Sequence, residues 1–148
     1  MKLKGSCHCR AVRFSLESTT PYPYMWCYCS ICRKTAGGGG YAINIMGEAD
    51  SLRVRGRTAI YRATRGGGER HFCARCGSAL WVWDKRWAQW VYPFASAIDT
   101  PLPRPKERSL IFLGSRANWA HVPEGRRFKA YPREAIIDWH ARRGLLKP

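Results

Sequence analysis

Apolar and polar side chains alternate along Ala11-Val12-Arg13-Phe14-Ser15-Leu16, which places Val12, Phe14 and Leu16 on one face of an extended segment. Short apolar runs at residues 41–45, 52–54 and 59–63 predict further strands, and Gly66-Gly67-Gly68 predicts a turn after the last of them. Residues 80–83 and 90–94 read as paired strands across a turn near residues 84–86, and residues 110–113 as another short strand. Pro21 and Pro23 bracket an edge-like segment, while Pro101, Pro103 and Pro105 mark a loop. Residues 132–143 carry the one helical pattern: Pro132 suits a first turn, Gly144 a stop, and Ile136, Trp139 and His140 share a face. The pattern as a whole predicts a mainly β, antiparallel domain with a short C-terminal helix.

The chain has 148 residues, enough for one domain, and its 7 Trp, 7 Tyr and 5 Phe favour strands and sheet cores. Trp81, Trp83, Trp87 and Trp90 read as packing residues. No apolar run approaches the roughly 20 residues needed to span a bilayer. The segment from Met1 to Cys7 has basic residues without an apolar stretch after them, unlike a secretory signal. A cytoplasmic location is therefore expected, with no membrane partner. In that reducing compartment cysteines serve as metal ligands more readily than as disulfides.

Those cysteines carry the chemistry. Seven of them fall into three groups, Cys7-His8-Cys9, Cys27-Tyr28-Cys29-Ser30-Ile31-Cys32 and Cys73-Ala74-Arg75-Cys76, with Gly77 directly after the last. Thiolates spaced one to three residues apart on a tight turn can reach one ion, and a tetrahedral sulfur set selects zinc. Two pairs close a tetrahedron, whereas a set of three leaves one position for an incoming molecule. The best division gives Cys7, Cys9, Cys73 and Cys76 to a saturated structural zinc, and Cys27, Cys29 and Cys32 to a second, open zinc. Spacing alone also permits the middle group to serve with Cys73 and Cys76. His8 lies between two better ligands and is expected to point away; His71 is a lesser candidate for the open fourth position.

Three stretches, Gly5-Ser6-Cys7-His8-Cys9 with Val12 and Phe14, Cys27-x-Cys29-Ser30-x-Cys32-Arg33, and Phe72-Cys73-x-x-Cys76-Gly77, resemble the glutathione-dependent formaldehyde-activating enzyme family, which also includes centromere protein V. Gly114-Ser115-Arg116-Ala117-Asn118-Trp119, Phe128 and Pro132 extend the likeness. It covers most of residues 1–132 and leaves residues 133–148 as a helical extension. The resemblance implies a zinc β-tent fold of the Mss-four type and the same division of ligands, two zinc ions per chain. It also implies addition of glutathione to formaldehyde, a carbon–sulfur lyase reaction read in reverse, at the three-cysteine zinc. After Arg33 the chain departs from the family pattern with Lys34-Thr35-Ala36-Gly37-Gly38-Gly39-Gly40-Tyr41, which suggests a roomier or more mobile pocket wall.

The expected catalytic set is Cys27, Cys29, Cys32 and Arg33: the open zinc activates a small thiol, an aldehyde is attacked, and Arg33 or Lys34 steadies the developing alkoxide. Tyr28 and Trp119 are candidate pocket residues. The formal net charge of +16 falls to about +13 with both thiolate sites filled, and it suits an anionic thiol such as glutathione. The same charge admits a different class of function, a non-enzymatic zinc module that binds nucleic acid through its basic surface. No recognition helix or basic run in the sequence favours that alternative. A third reading is a redox-sensing thiol group at Cys27, Cys29 and Cys32.

Overall fold

The computed structural model describes residues 1–148. In chain order the elements are β1 (Lys2–Ser6), β2 (Arg13–Glu17), β3 (Met25–Cys27), α1 (Ser30–Thr35), β4 (Ala42–Ile43), β5 (Gly47–Glu48), β6 (Arg53–Arg55), β7 (Thr58–Arg62), β8 (Glu69–Cys73), β9 (Ala79–Trp83), β10 (Trp90–Pro93), β11 (Ser109–Ile111), β12 (Arg126–Arg127) and α2 (Ile136–Ala141). They form a three-stranded sheet β1-β2-β6, a five-stranded sheet β5-β10-β9-β8-β7 and a four-stranded sheet β12-β11-β3-β4. The chain is mainly β with few helices. No helix is long and apolar enough to cross a membrane.

The expectation of a purely antiparallel arrangement is corrected in the third sheet, where β11 runs parallel to both β3 and β12. Long excursions separate these strands, so nothing forces a hairpin between them. The strand pattern is otherwise period two. Leu3 and Gly5 in β1 and Phe14 and Leu16 in β2 point inward, while Lys2, Lys4 and Arg13 are exposed. Gly5 is required by a close approach: a Cβ there would collide with the Phe14 ring and the Ala97 carbonyl.

Two cores contain the cysteine groups. The larger packs Leu3, Phe14 and Leu16 of the first sheet against Leu80, Trp81 and Val91 of the second, with Cys7 and Cys73 at its edge. The smaller gathers Cys27, Cys32, Ala42, Phe94 and Ile111. Each cysteine group thus belongs to its own core.

Helix α2 is shorter than the residue pattern suggests, six residues against twelve, because the chain bends at Arg133 and Glu134 and Ala135 is extended, so the helix opens only at Ile136. Its anchoring face is as expected. Trp139 stacks on Tyr24 with ring centroids 3.7 Å apart, and His140 is fully buried. The Nδ1–H of His140 donates to the Ile136 carbonyl (2.8 Å), while its Nε2 accepts from the Tyr22 amide (3.4 Å).

Candidate metal centres and the cavity above one of them

The first sulfur group forms where the β1–β2 turn meets the β8–β9 turn. The Val12 amide donates to Cys7 Sγ (3.2 Å) and the Arg75 amide to Cys73 Sγ (3.4 Å), so each turn wraps its backbone around a sulfur. Gly77 closes the second turn with φ +75°, a conformation that a side chain strains. The Sγ atoms of Cys7, Cys9, Cys73 and Cys76 all lie within 4.8 Å of one another.

The second group forms at the end of β3 and the first turn of α1. Cys27 ends the strand and Cys29 caps the helix, its sulfur accepting from the Cys32 amide at 3.3 Å. This short helix replaces the simple turn read from the sequence, and it folds Cys32 back over Cys27. The Sγ atoms of Cys27, Cys29 and Cys32 likewise lie within 4.8 Å of one another. No disulfide forms; all seven thiols are free.

The electrostatics of both groups suit a cation. Hydrogen bonds from Cys27 and Cys32 draw the Cys29 thiol down to about 2, and crowding by Cys29 and Cys32 drives Cys27 upward. One negative sulfur suppresses ionisation of its neighbours. Three thiolates coexist at this spacing only when a positive ion sits among them. In the first group, hydrogen bonds led by the Ser78 hydroxyl lower Cys76 to about 5, while Cys9 is raised to about 11 by burial and by its neighbouring sulfurs, against the pull of the Ala11 amide. Four and three soft donors within bonding reach of a common centre fit a zinc-type ion. Either group could hold a metal.

The surroundings differ. Cys27 and Cys32 line a cavity of about 340 Å³ whose wall is largely apolar, with Val82, Trp87, Tyr92 and Ile111 among its residues. Arg70, from β8, enters the same cavity, donating to Cys32 Sγ at 3.7 Å and Thr35 Oγ1 at 3.4 Å. Met25, Asn44 and the approach to α2 from Tyr131 to Ile136 complete the wall. Tyr131 stands at the mouth of the cavity, 67% exposed, with its ring edge-on to Phe112. Cys7 borders a separate groove of about 460 Å³, but its four-sulfur set has no position left for a ligand.

Several expectations about the pocket are corrected. Tyr28 is fully buried and donates to the His121 carbonyl, and Trp119 is 65% exposed; neither lines the cavity. Trp87, read as packing, does line it. The Gly37–Gly40 run is not its wall: Gly40, at φ +86°, packs on Ala120 and Trp119. Arg33 lies outside the lining with a buried Nε that has no hydrogen-bond partner, and Lys34 is exposed. His8 is exposed, and His71 is occupied by Thr58 and Glu69 beneath a stack on Trp81. Arg70 gives no signal in sequence, since it stands 38 residues from Cys32 and only the β8 strand delivers it.

A β protein with two preformed thiol groups, one enclosed by four sulfurs and one of three opening on a cavity, defines the class. The chain belongs to the family described as "Glutathione-dependent formaldehyde-activating enzyme", whose sequence profile matches residues 2–114. A Halomonas elongata protein named "Putative glutathione-dependent formaldehyde-activating enzyme" is 57% identical over 154 residues, covering 98% of each chain. A crystal structure of a Rhodobacter sphaeroides protein is similar with a TM-score of 0.56 at 26% identity, over 68% of this chain and 91% of that one.

Proposed function

We propose that the protein is a zinc-dependent carbon–sulfur lyase of the S-hydroxymethylglutathione synthase type, joining a small thiol such as glutathione to formaldehyde or a related small aldehyde. The observation that carries this reading is the cavity into which two of the three sulfurs of an unsaturated ligand set open. Cys7, Cys9, Cys73 and Cys76 hold a structural zinc, and Cys27, Cys29 and Cys32 hold the working one. A β-tent of residues 1–132 carries both, with residues 133–148 as its extension, and the reaction is cytoplasmic.

When bound at Cys27, Cys29 and Cys32, zinc supplies an acid that favours the thiolate form of an incoming thiol at neutral pH. The chain's own groups do the rest. The apolar wall excludes water and holds the small aldehyde against the sulfur. The sulfur lone pair forms the new bond to the carbonyl carbon, and the carbonyl π pair moves to oxygen. Arg70 stands beside the ligand sulfurs and offers guanidinium N–H donors to the developing alkoxide. The alkoxide takes up one proton, balancing the one the thiol gave to solvent, and the product is the S-hydroxymethyl hemithioacetal. Arg33, outside the lining, does not touch substrate in this reading.

The test follows the exchange of isotope-labelled formaldehyde with glutathione by magnetisation-transfer NMR. The zinc-loaded protein should raise the exchange rate above the spontaneous one in proportion to its concentration, and Cys29→Ser should return it to background. A rate unchanged by protein carrying two zinc ions would end the proposal.

A further inference from the structure

We infer that the outer face of the β1-β2-β6 sheet binds the phosphate backbone of nucleic acid, at a site separate from the three-cysteine cavity. Folding assembles this face from distant parts of the chain. Lys2 and Lys4 on β1, Arg10 in the following turn, Arg13 on β2, and Arg53 and Arg55 on β6 all line one groove of about 1080 Å³. All six are exposed. None takes part in an ion pair; Arg53 alone has local partners, the Asp50 and Leu52 carbonyls. The acids near the groove are Asp99 in its lining, the exposed Asp50, whose carbonyl accepts from Arg53, and Glu17, which stands opposite Lys2 and 4.0 Å from the amino terminus.

The register makes the charge costly. Arg13 stands directly opposite Arg55 across the β2–β6 ladder, and like charges in that relation destabilise a sheet. Nothing in the fold repays this repulsion, whereas a polyanion would. The lining chooses among polyanions: the one exposed apolar residue is Val54, too little for insertion into lipid, whereas six unpaired cations suit closely spaced phosphates. The only aromatic ring in the lining, Phe14, is 4% exposed, so bases have nothing to stack on. Recognition therefore rests on phosphates and is independent of sequence.

The experiment measures binding of a labelled duplex of arbitrary sequence to the zinc-loaded protein by fluorescence anisotropy between 50 and 200 mM NaCl. If five cations each meet a phosphate, the logarithmic salt slope is about −4.5 and affinity falls about 500-fold across that range. Replacing Arg13→Ser together with Arg55→Ser removes two contacts and should reduce that fall to about 40-fold. The same double change relieves the cross-strand repulsion, so the thermal midpoint should hold or rise. Formaldehyde–glutathione exchange should also hold, because the groove shares no lining residue with the cavity. A single strand should bind with a shallower slope that the double change also reduces. Absence of binding at 50 mM salt, a slope unaltered by the double change, or equal competition by anionic vesicles or polyglutamate would overturn the inference.

Discussion

Arg70 separates what spacing reveals from what only the fold reveals. Cysteines at x-spaced positions announce a shared ion because the chain itself brings them within reach. Arg70 is an unremarkable strand residue until β8 lays it beside Cys32, and Arg33 looks better placed merely by being next to that cysteine in sequence. If Arg70 both steadies the Cys32 sulfur and meets the alkoxide, Arg70→Ala should lower the exchange rate by about 10–100-fold. Arg70→Lys should recover only part, because a point charge replaces two directed donors. Arg33→Ala should leave the rate constant at saturating substrate nearly intact and the thermal midpoint unchanged or higher, because it removes a buried Nε that has no partner. Steady-state exchange rates with a thermal scan on each variant check both statements. A larger catalytic loss from Arg33→Ala than from Arg70→Ala would return the role to Arg33.

The two helices show how short elements place the cavity's parts. The α1 turn was hidden in the sequence because six residues are too few for a periodic signal and the cap is a cysteine. The α2 face was legible from Ile136, Trp139 and His140, but its start was not, since Pro132 opens an irregular, bent run instead of the helix. That run is held by the Trp139–Tyr24 stack, and Trp139→Ala should cost about 3–5 kcal/mol in denaturant unfolding and weaken substrate binding as the wall loosens. His140 adds a pH dependence. Burial lowers its pKa below the ordinary 6.5, with the nearby Arg143 charge acting in the same direction against the Ile136 hydrogen bond. The rings of Tyr22, Tyr24 and Trp139 also face it. A proton on Nε2 would confront the Tyr22 amide. The unfolded chain therefore binds more protons than the folded one as pH drops below 6.5, so this contribution is complete above 6.5 and is lost through the acid side of that value. Thermal midpoints between pH 7.5 and 5 should fall less steeply in His140→Gln than in the unchanged chain. Parallel curves would assign the acid sensitivity elsewhere.

In the molecule as a whole each cysteine group is built into its own core cluster, and a third cluster has none. The sequence pattern disclosed the β character and the composition of both sulfur groups. It did not disclose the three-sheet arrangement or the parallel pairing of β11, because contacts between strands far apart in the chain leave no local period. The net charge of +16 likewise became informative only when folding gathered six cations onto one sheet face. The account depends on an unequal sharing of seven sulfurs between two ions, one holding the N-terminal turn to the middle of the chain and one serving the cavity. Structural zinc contributes folding free energy directly, whereas the open site is expected to be dispensable for folding. Zinc content per folded chain, measured on the unchanged protein and on Cys29→Ser and Cys73→Ser, tests this most directly. Two ions in the unchanged chain, one in a still-folded Cys29→Ser and no soluble Cys73→Ser is the expected result; a single ion per unchanged chain, or equal loss of folding in both variants, would contradict it.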